Sequence, residues 1–237
     1  MSELNDRLLN EIIDAVKDLV KKEQSDRLRD VYLVGDIEKD TARQAIERLR
    51  ELANDSRKPI TIYINSAGGN VTDGLALHDT VRYLVSLGYE ITIVVQGMAY
   101  SMGSVVLQAA SPGKRFAFPH SWIMIHEPAK WAGWQSTSAA AQHLDRLKQM
   151  QSQIYRILAD RSGKPLRQII RDTKRTDFYL DAISARDYGL IDEVLGPMEA
   201  ASTDRSDVPH AQSVDAPATT APTSIAAAER PDDIAGG

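Results

Sequence analysis

Three side-chain types recur at positions where chemistry could use them. Ser101 stands in Gly97-Met-Ala-Tyr-Ser-Met-Gly103, a hydroxyl among mostly small residues directly after an apolar run. A serine at a strand-to-helix turn can present its Oγ near the positive end of the helix, where an alkoxide and an oxyanion are stabilised. His126 closes a second apolar run, Ser121–Ile125, and precedes Glu127-Pro128. Further on, Asp172, Asp177 and Asp181 cluster around Arg175-Thr-Asp-Phe-Tyr179, and spacing alone does not choose among them. Serine, histidine and aspartate together are the side chains of nucleophilic acyl transfer. A fourth feature is Asn65-Ser-Ala-Gly-Gly69, whose paired glycines let successive backbone N–H groups face a cavity. Each feature also has a plainer reading: Ser101 as a helix N-cap, His126 as a structural residue, the glycines as a tight turn. His120 lies six residues before His126, on the same face if the strand is extended, so a metal pair is a further reading.

The elements that must hold these residues follow from periodicity. An amphipathic helix is expected over roughly Leu8–Lys22. Val31–Val34 is a short apolar run closed by Gly35, and Thr41–Ala53 has helical spacing with Ala45, Ile46, Leu49 and Leu52 on one face. Ile60–Ile64 reads as a second strand, Asp73–Leu87 as a helix stopped by Gly88, and Ile91–Val95 as a third strand. A helix is expected from about Ser101 to Ala110, and a strand over Trp122–Ile125. Apolar strands joined by helices indicate an α/β fold, a parallel sheet covered by helices on both faces. Such sheets bind ligands beyond the carboxyl ends of their strands, which is where the four features fall. A long helix over Ser138–Arg161, with Leu144, Leu147, Met150, Ile154 and Leu158 at heptad-like spacing, exceeds what a crossover needs and is expected to project from the body.

Composition narrows the function. The chain has 237 residues, 43% hydrophobic and 26% charged, ordinary proportions for a folded domain. With no cysteine there is no thiol nucleophile, disulfide or thiolate metal site. No HExxH pair and no GxxxxGK[ST] loop occurs, so no metal or other cofactor is expected, and any ATP hydrolysis belongs to another protein. The net charge of −5 sits wholly in residues 197–237, where seven acids face two arginines. The remainder is balanced and offers no field for nucleic acid. That tail holds ten alanines and five prolines without an aromatic residue, so it is expected to be disordered. The uncharged stretch Ile91–Gly113 is long enough to span a bilayer but carries Gln96, Ser101, Ser104 and Gln108, and reads as strand, turn and helix instead. The first six residues are polar and acidic, unlike a secretory leader. The expectation is a soluble, cytoplasmic protein without membrane contact.

In order and wording, these segments resemble the proteolytic subunit of the Clp protease. Gly35-Asp-Ile37 is similar to that family's GxI turn, Ile64–Gly69 to its INSPGG loop, and Gly97–Gly103 to its GxAxSMG nucleophile motif. Met124-Ile-His-Glu-Pro128 is similar to its MIHxP segment, and Arg171-Asp-Thr, Asp177 and Tyr188-Gly-Leu-Ile-Asp192 to its closing block. The resemblance spans about residues 31 to 195 and implies a fold related to the crotonases. It implies a serine peptidase domain over 31–196, which leaves an N-terminal helical part over 1–30, unlike the family's usual axial-pore segment, and the tail over 197–237. Ser101 is then the nucleophile, His126 the base and Asp177 its orienting acid. Backbone N–H groups of Gly69 and Met102, with Gly68, would form the oxyanion hole. The implied activity is hydrolysis of unfolded polypeptides inside a homo-oligomer of stacked rings, with the long helix as inter-ring handle and a separate AAA+ unfoldase ATPase as feeder. Two other readings share the fold: a crotonase-type acyl-CoA enzyme, and a catalytically silent ring component.

The chain departs from the family pattern at several positions. Ala67 replaces a proline in the glycine loop, and Tyr100 a small residue beside the nucleophile. Lys130, Trp131 and Trp134 occupy a glycine-rich strand, and Arg175 and Thr176 stand where the family carries an acid and an arginine that pair between rings.

Overall fold

The computed structural model describes residues 12–19, 29–127, 137–174 and 176–196. A first helix, α1, runs over 12–19 within the expected Leu8–Lys22 segment. Strand β1 (Asp30–Val34), helix α2 (Lys39–Asp55), β2 (Ile60–Ser66), α3 (Val71–Ser86) and β3 (Ile91–Tyr100) then alternate. They are followed by α4 (Met102–Leu107), β4 (Arg115–Ala117), β5 (Trp122–Ile125), α5 (Thr137–Ser162), α6 (Leu166–Thr173), β6 (Phe178–Asp181), α7 (Ala182–Tyr188) and β7 (Glu193–Val194).

Each early helix starts where its sequence supplies a cap. Glu38 and Thr41 form a reciprocal capping box at α2, and Asn70 Oδ1 accepts the Thr72 and Asp73 N–H groups at α3. The apolar stripe of α2 (Ala42, Ala45, Leu49, Leu52) is buried, and α2 packs on β1 and on α3, which in turn packs on α4. Ile60, Ile62 and Ile64 of β2 and Ile91 and Ile93 of β3 are almost wholly buried beneath them.

The sheet runs β1-β2-β3-β4-β7, all parallel, with β5 parallel to β3 and β6 antiparallel to β5. The fold is therefore α/β with a mostly parallel sheet. Among the described residues full cover on both faces does not hold: β1 alternates, and Tyr32 and Val34 are 64% and 60% exposed. Tyr32 stacks on Tyr63 of β2 on that open side, with ring centroids 5.5 Å apart.

Strand β3 runs past its expected end at Val95 to Tyr100. Between Ile64/Val95 and Ser66/Ala99 the register slips, so β3 carries extra residues against β2. Gly97 sits in that irregularity at φ +96, and its N–H donates to Ser121 Oγ, which in turn donates to Val95 O. Before Gly97 the strand pairs with β4, and after it with β5. One strand thus changes partner and carries its end out to the edge where chemistry can be reached. Helix α4 is shorter than the expected Ser101–Ala110 because Gln108 and Ala109 donate three residues back, tightening and ending it. Short strands β4, β6 and β7 and helices α6 and α7 have no counterpart among the expected elements.

Helix α5 divides along its length. Leu144 is 50% exposed, Leu147 and Met150 are half-buried, and Ile154 and Leu158 are 3% and 1% exposed. Its far half is core, and its near half extends from it. His120 occupies a turn before β5 and not the strand itself, so the shared-face geometry with His126 is not realised. Among the described residues no helix is long and apolar enough to cross a membrane. Residues 1–11, Lys130, Trp131, Trp134, Arg175 and the tail over 197–237 lie outside the described residues.

Candidate functional site

The site is assembled at the carboxyl end of β3. Ser101 has φ 51° and ψ −120°, and among the described residues no other non-glycine has a positive φ. Such a conformation is strained for a residue with a Cβ and persists only where surroundings impose it. Here the backbone is pinned on both sides. The Ser101 N–H donates to Met124 O on β5 at 2.9 Å, and Ser101 O accepts from the Ser104 N–H and hydroxyl at 3.0 and 2.6 Å. Ser101 is the N-cap residue of α4, but its side chain makes no capping bond. The hydroxyl is left for something else.

It meets His126. Ser101 Oγ lies 2.8 Å from Nε2, and Nδ1 of the same ring lies 3.2 Å from Asp177 Oδ1. A carboxylate only accepts, so Nδ1 carries the ring hydrogen and Nε2 accepts from the Ser101 hydroxyl. The three residues come from the ends of β3, β5 and the approach to β6, and the parallel β3–β5 and antiparallel β5–β6 ladders set their spacing. The three acids that spacing could not separate are separated by their partners. Asp172 accepts from the Tyr188 hydroxyl at 2.8 Å, and Asp181 caps α7 through the Ser184 N–H at 2.6 Å. Burial, and then the Asp172 contact, push the Tyr188 phenol well up, which keeps it a donor.

The glycine loop closes over Ser101. An isolated parallel bridge joins Ile37 to Gly69, using the Ile37 N–H to Gly68 O and the Asn70 N–H to Ile37 O, both 2.7 Å. That pattern turns the Gly69 N–H away from Ile37. Neither it nor the Met102 N–H donates to a protein acceptor among the described residues. The Gly68 N–H is different: it donates to buried Ser66 Oγ at 3.1 Å, so Gly68 shapes the loop but is not an open donor as expected. A Cβ on Gly68 would stand 2.6 Å from Ser101 Cβ, and one on Gly69 would collide with the Ile37 backbone.

Beside these groups is a cavity of about 250 Å³. Gly69, Ser101, Met102 and His126 form its reactive side, and Val71, Val105, Ile125, Ile154 and Leu158 its apolar side. The chemical content is a hydroxyl that can lose its proton to an imidazole, two backbone donors nearby, and an apolar recess. Sequence reading missed most of the recess. Ile154 and Leu158 show helical i, i+4 spacing, but nothing local says that this face meets Ser101. Among the described residues no cluster of three or more His, Cys, Asp or Glu side chains could hold a metal ion.

A parallel α/β sheet with a serine on a strained strand-to-helix turn, hydrogen-bonded to a histidine and through it to an aspartate, has the layout of a serine hydrolase. More narrowly, residues 14–198 match the Clp protease family, and the chain belongs to that family of peptidases.

Proposed function

We propose that this chain is a serine endopeptidase in which Ser101 is the nucleophile, His126 the general base and acid, and Asp177 the group that orients the imidazole. The observation that carries the reading is the unbroken hydrogen-bonded path from Ser101 Oγ through both His126 nitrogens to Asp177. Ser101 Oγ attacks the peptide carbonyl while Nε2 takes its proton. The carbonyl oxygen, now an anion, is held by the Gly69 and Met102 N–H groups, each typically worth about 3 kcal/mol of barrier. His126 then gives its proton to the leaving amine, and water repeats the sequence on the acyl-enzyme. Asp177 holds the tautomer and stabilises the imidazolium. The apolar recess suits an apolar side chain on the acyl side of the scissile bond.

The substrates we assign are unfolded polypeptides, cleaved in the cytoplasm inside a chamber of stacked rings of this chain and delivered by an AAA+ unfoldase. Family membership and the exposed near half of α5 support that assembly. In this reading the rings are held in part by charge pairs, so added salt loosens stacking and activity together.

A fluorophosphonate probe, followed by mapping of the modified residue, tests the chemistry. Modification at Ser101, with peptide hydrolysis lost in Ser101→Ala and assembly unchanged, is the expected result. An unlabelled wild type, or turnover retained in Ser101→Ala, refutes it. The acyl-CoA alternative predicts saturable binding of acyl-CoA in a titration, and the silent-component alternative predicts neither binding nor labelling.

A further inference from the structure

Tyr100 immediately precedes Ser101, and Tyr179 follows Asp177 by two residues. Their rings meet edge to face, with centroids 5.4 Å apart and an interplanar angle of 87°. The two strands are not neighbours. Strand β5 lies between them, with Met124 in register with Tyr100 on one side and Tyr179 on the other. Adjacent strands are about 4.8 Å apart, so the two backbones are separated by roughly 10 Å and both rings lean inward over Met124. Met124 is 6% exposed, although Trp122 on the same strand face is 47% exposed. The two tyrosines flank Met124 in register.

Each strand of this stripe ends in one member of the hydrogen-bonded path: Tyr100 leads into Ser101, Met124 into His126, and Tyr179 follows from Asp177. Asp177 is the least restrained of the three. Its side chain is 52% exposed, and it precedes a four-residue strand that pairs with β5 alone. Its bond to His126, at 3.2 Å, is at the long end of the useful range. Burial, and then the neighbouring Tyr179, raise the Tyr100 phenol, which keeps that ring neutral. Edge-to-face pairs of this kind are directional, which suits them to hold a spacing.

We infer that Tyr100 and Tyr179 form an aromatic clasp across Met124 that positions Asp177 against His126, and that both tyrosines are positioning residues for acyl transfer. The inference rests on the serine-peptidase reading above. Its test uses the full-length protein. Fluorophosphonate labelling of wild type at Ser101 comes first: without it the peptidase reading fails and the clasp falls with it. With labelling present, Tyr100→Ala and Tyr179→Ala should each lower kcat by about tenfold to a hundredfold, with KM within about twofold. Tyr→Phe at either position should keep kcat within about twofold, because the contact uses ring edge and face, not the hydroxyl. In an Asp177→Asn background, Tyr179→Ala should cause no further fall in the Ser101 labelling rate, since the group it positions is already lost. If the alanine variants do not fold, Tyr→Leu at the same positions, closer in volume, supports the same comparison. Wild-type kcat in the folded Ala or Leu variants overturns the inference. So does an equal loss with and without Asp177, or a rise in KM at constant kcat, which would make the tyrosines substrate contacts.

Discussion

Replacing Gly68 with alanine drives a methyl group into the turn that presents the hydroxyl. Gly68 has φ +100, and the added Cβ would stand 2.6 Å from Ser101 Cβ, 2.8 Å from Tyr100 O and 3.0 Å from Met102 N. None of these can swing aside, since two are backbone atoms and the third is the first atom of a pinned side chain. The backbone conformation alone costs an L-residue about 1–2 kcal/mol. Overpacking against fixed neighbours adds about 1–3 kcal/mol. At about 2–4 °C per kcal/mol for a domain of this size, the melting temperature should fall by roughly 4–20 °C. The larger effect should be on rate, because the atoms displaced are those of the proposed nucleophile, Ser101, and of one proposed oxyanion donor, Met102. A shift of about 1 Å there costs on the order of a hundredfold. Gly35→Ala is the control: its φ is +84, yet its added Cβ meets nothing within 4 Å. It should lose only about 1–2 kcal/mol and leave turnover within about twofold of wild type. Thermal scans beside steady-state hydrolysis of a fluorogenic peptide separate the two cases. If Gly68→Ala folds and keeps wild-type kcat, the close packing of the loop on Ser101 is not what aligns the site.

Three further outcomes are expected. Ser101→Gly should abolish hydrolysis yet raise the melting temperature, since it relieves a strained φ of 51° worth about 1 kcal/mol; a lower melting temperature would show that the strain is not stored there. Burial, ahead of the opposing pull of Asp79, holds the His78 imidazole below its ordinary value, and Nε2 has no partner among the described residues. The unfolded chain therefore binds a proton that the native chain refuses, and stability falls as pH drops through the ordinary imidazole range. His78→Leu should flatten the melting temperature between about pH 7 and pH 5, and superimposed wild-type and mutant profiles would refute this. Burial pushes the Asp192 carboxyl up, but hydrogen bonds and charge from Arg115 more than offset it and hold it below the ordinary range. Its stabilisation is thus present above the ordinary carboxylate range and lost as pH falls through the lowered value. Asp192→Ala, which leaves a guanidinium whose side chain is 7% exposed without its carboxylate, should cost about 3–5 kcal/mol in chemical denaturation, and a loss below about 1 kcal/mol would count against it.

The sequence by itself determined the alternation of strands and helices, because caps, apolar stripes and stop residues are local. Glu38 with Thr41, Asn70 and Gly88 mark boundaries that need no distant partner. It also showed Ser101 and His126 at strand ends, and the ordered motifs gave the family. What it could not supply were relations between segments far apart in the chain. Spacing left Asp172, Asp177 and Asp181 equivalent, and only the β5–β6 ladder brings Asp177 to His126, 51 residues away. The run Ile91–Val95 reads as a complete strand, but the glycine at position 97 continues it to a second partner, since Ser121 from beyond β4 ties down its N–H. Likewise, the apolar recess draws on α3, α4, β5 and α5 at once, and the clasp joins rings 79 positions apart. Local propensity decides what each segment becomes. Which side chains then meet is decided by register and packing, which no short stretch of sequence contains.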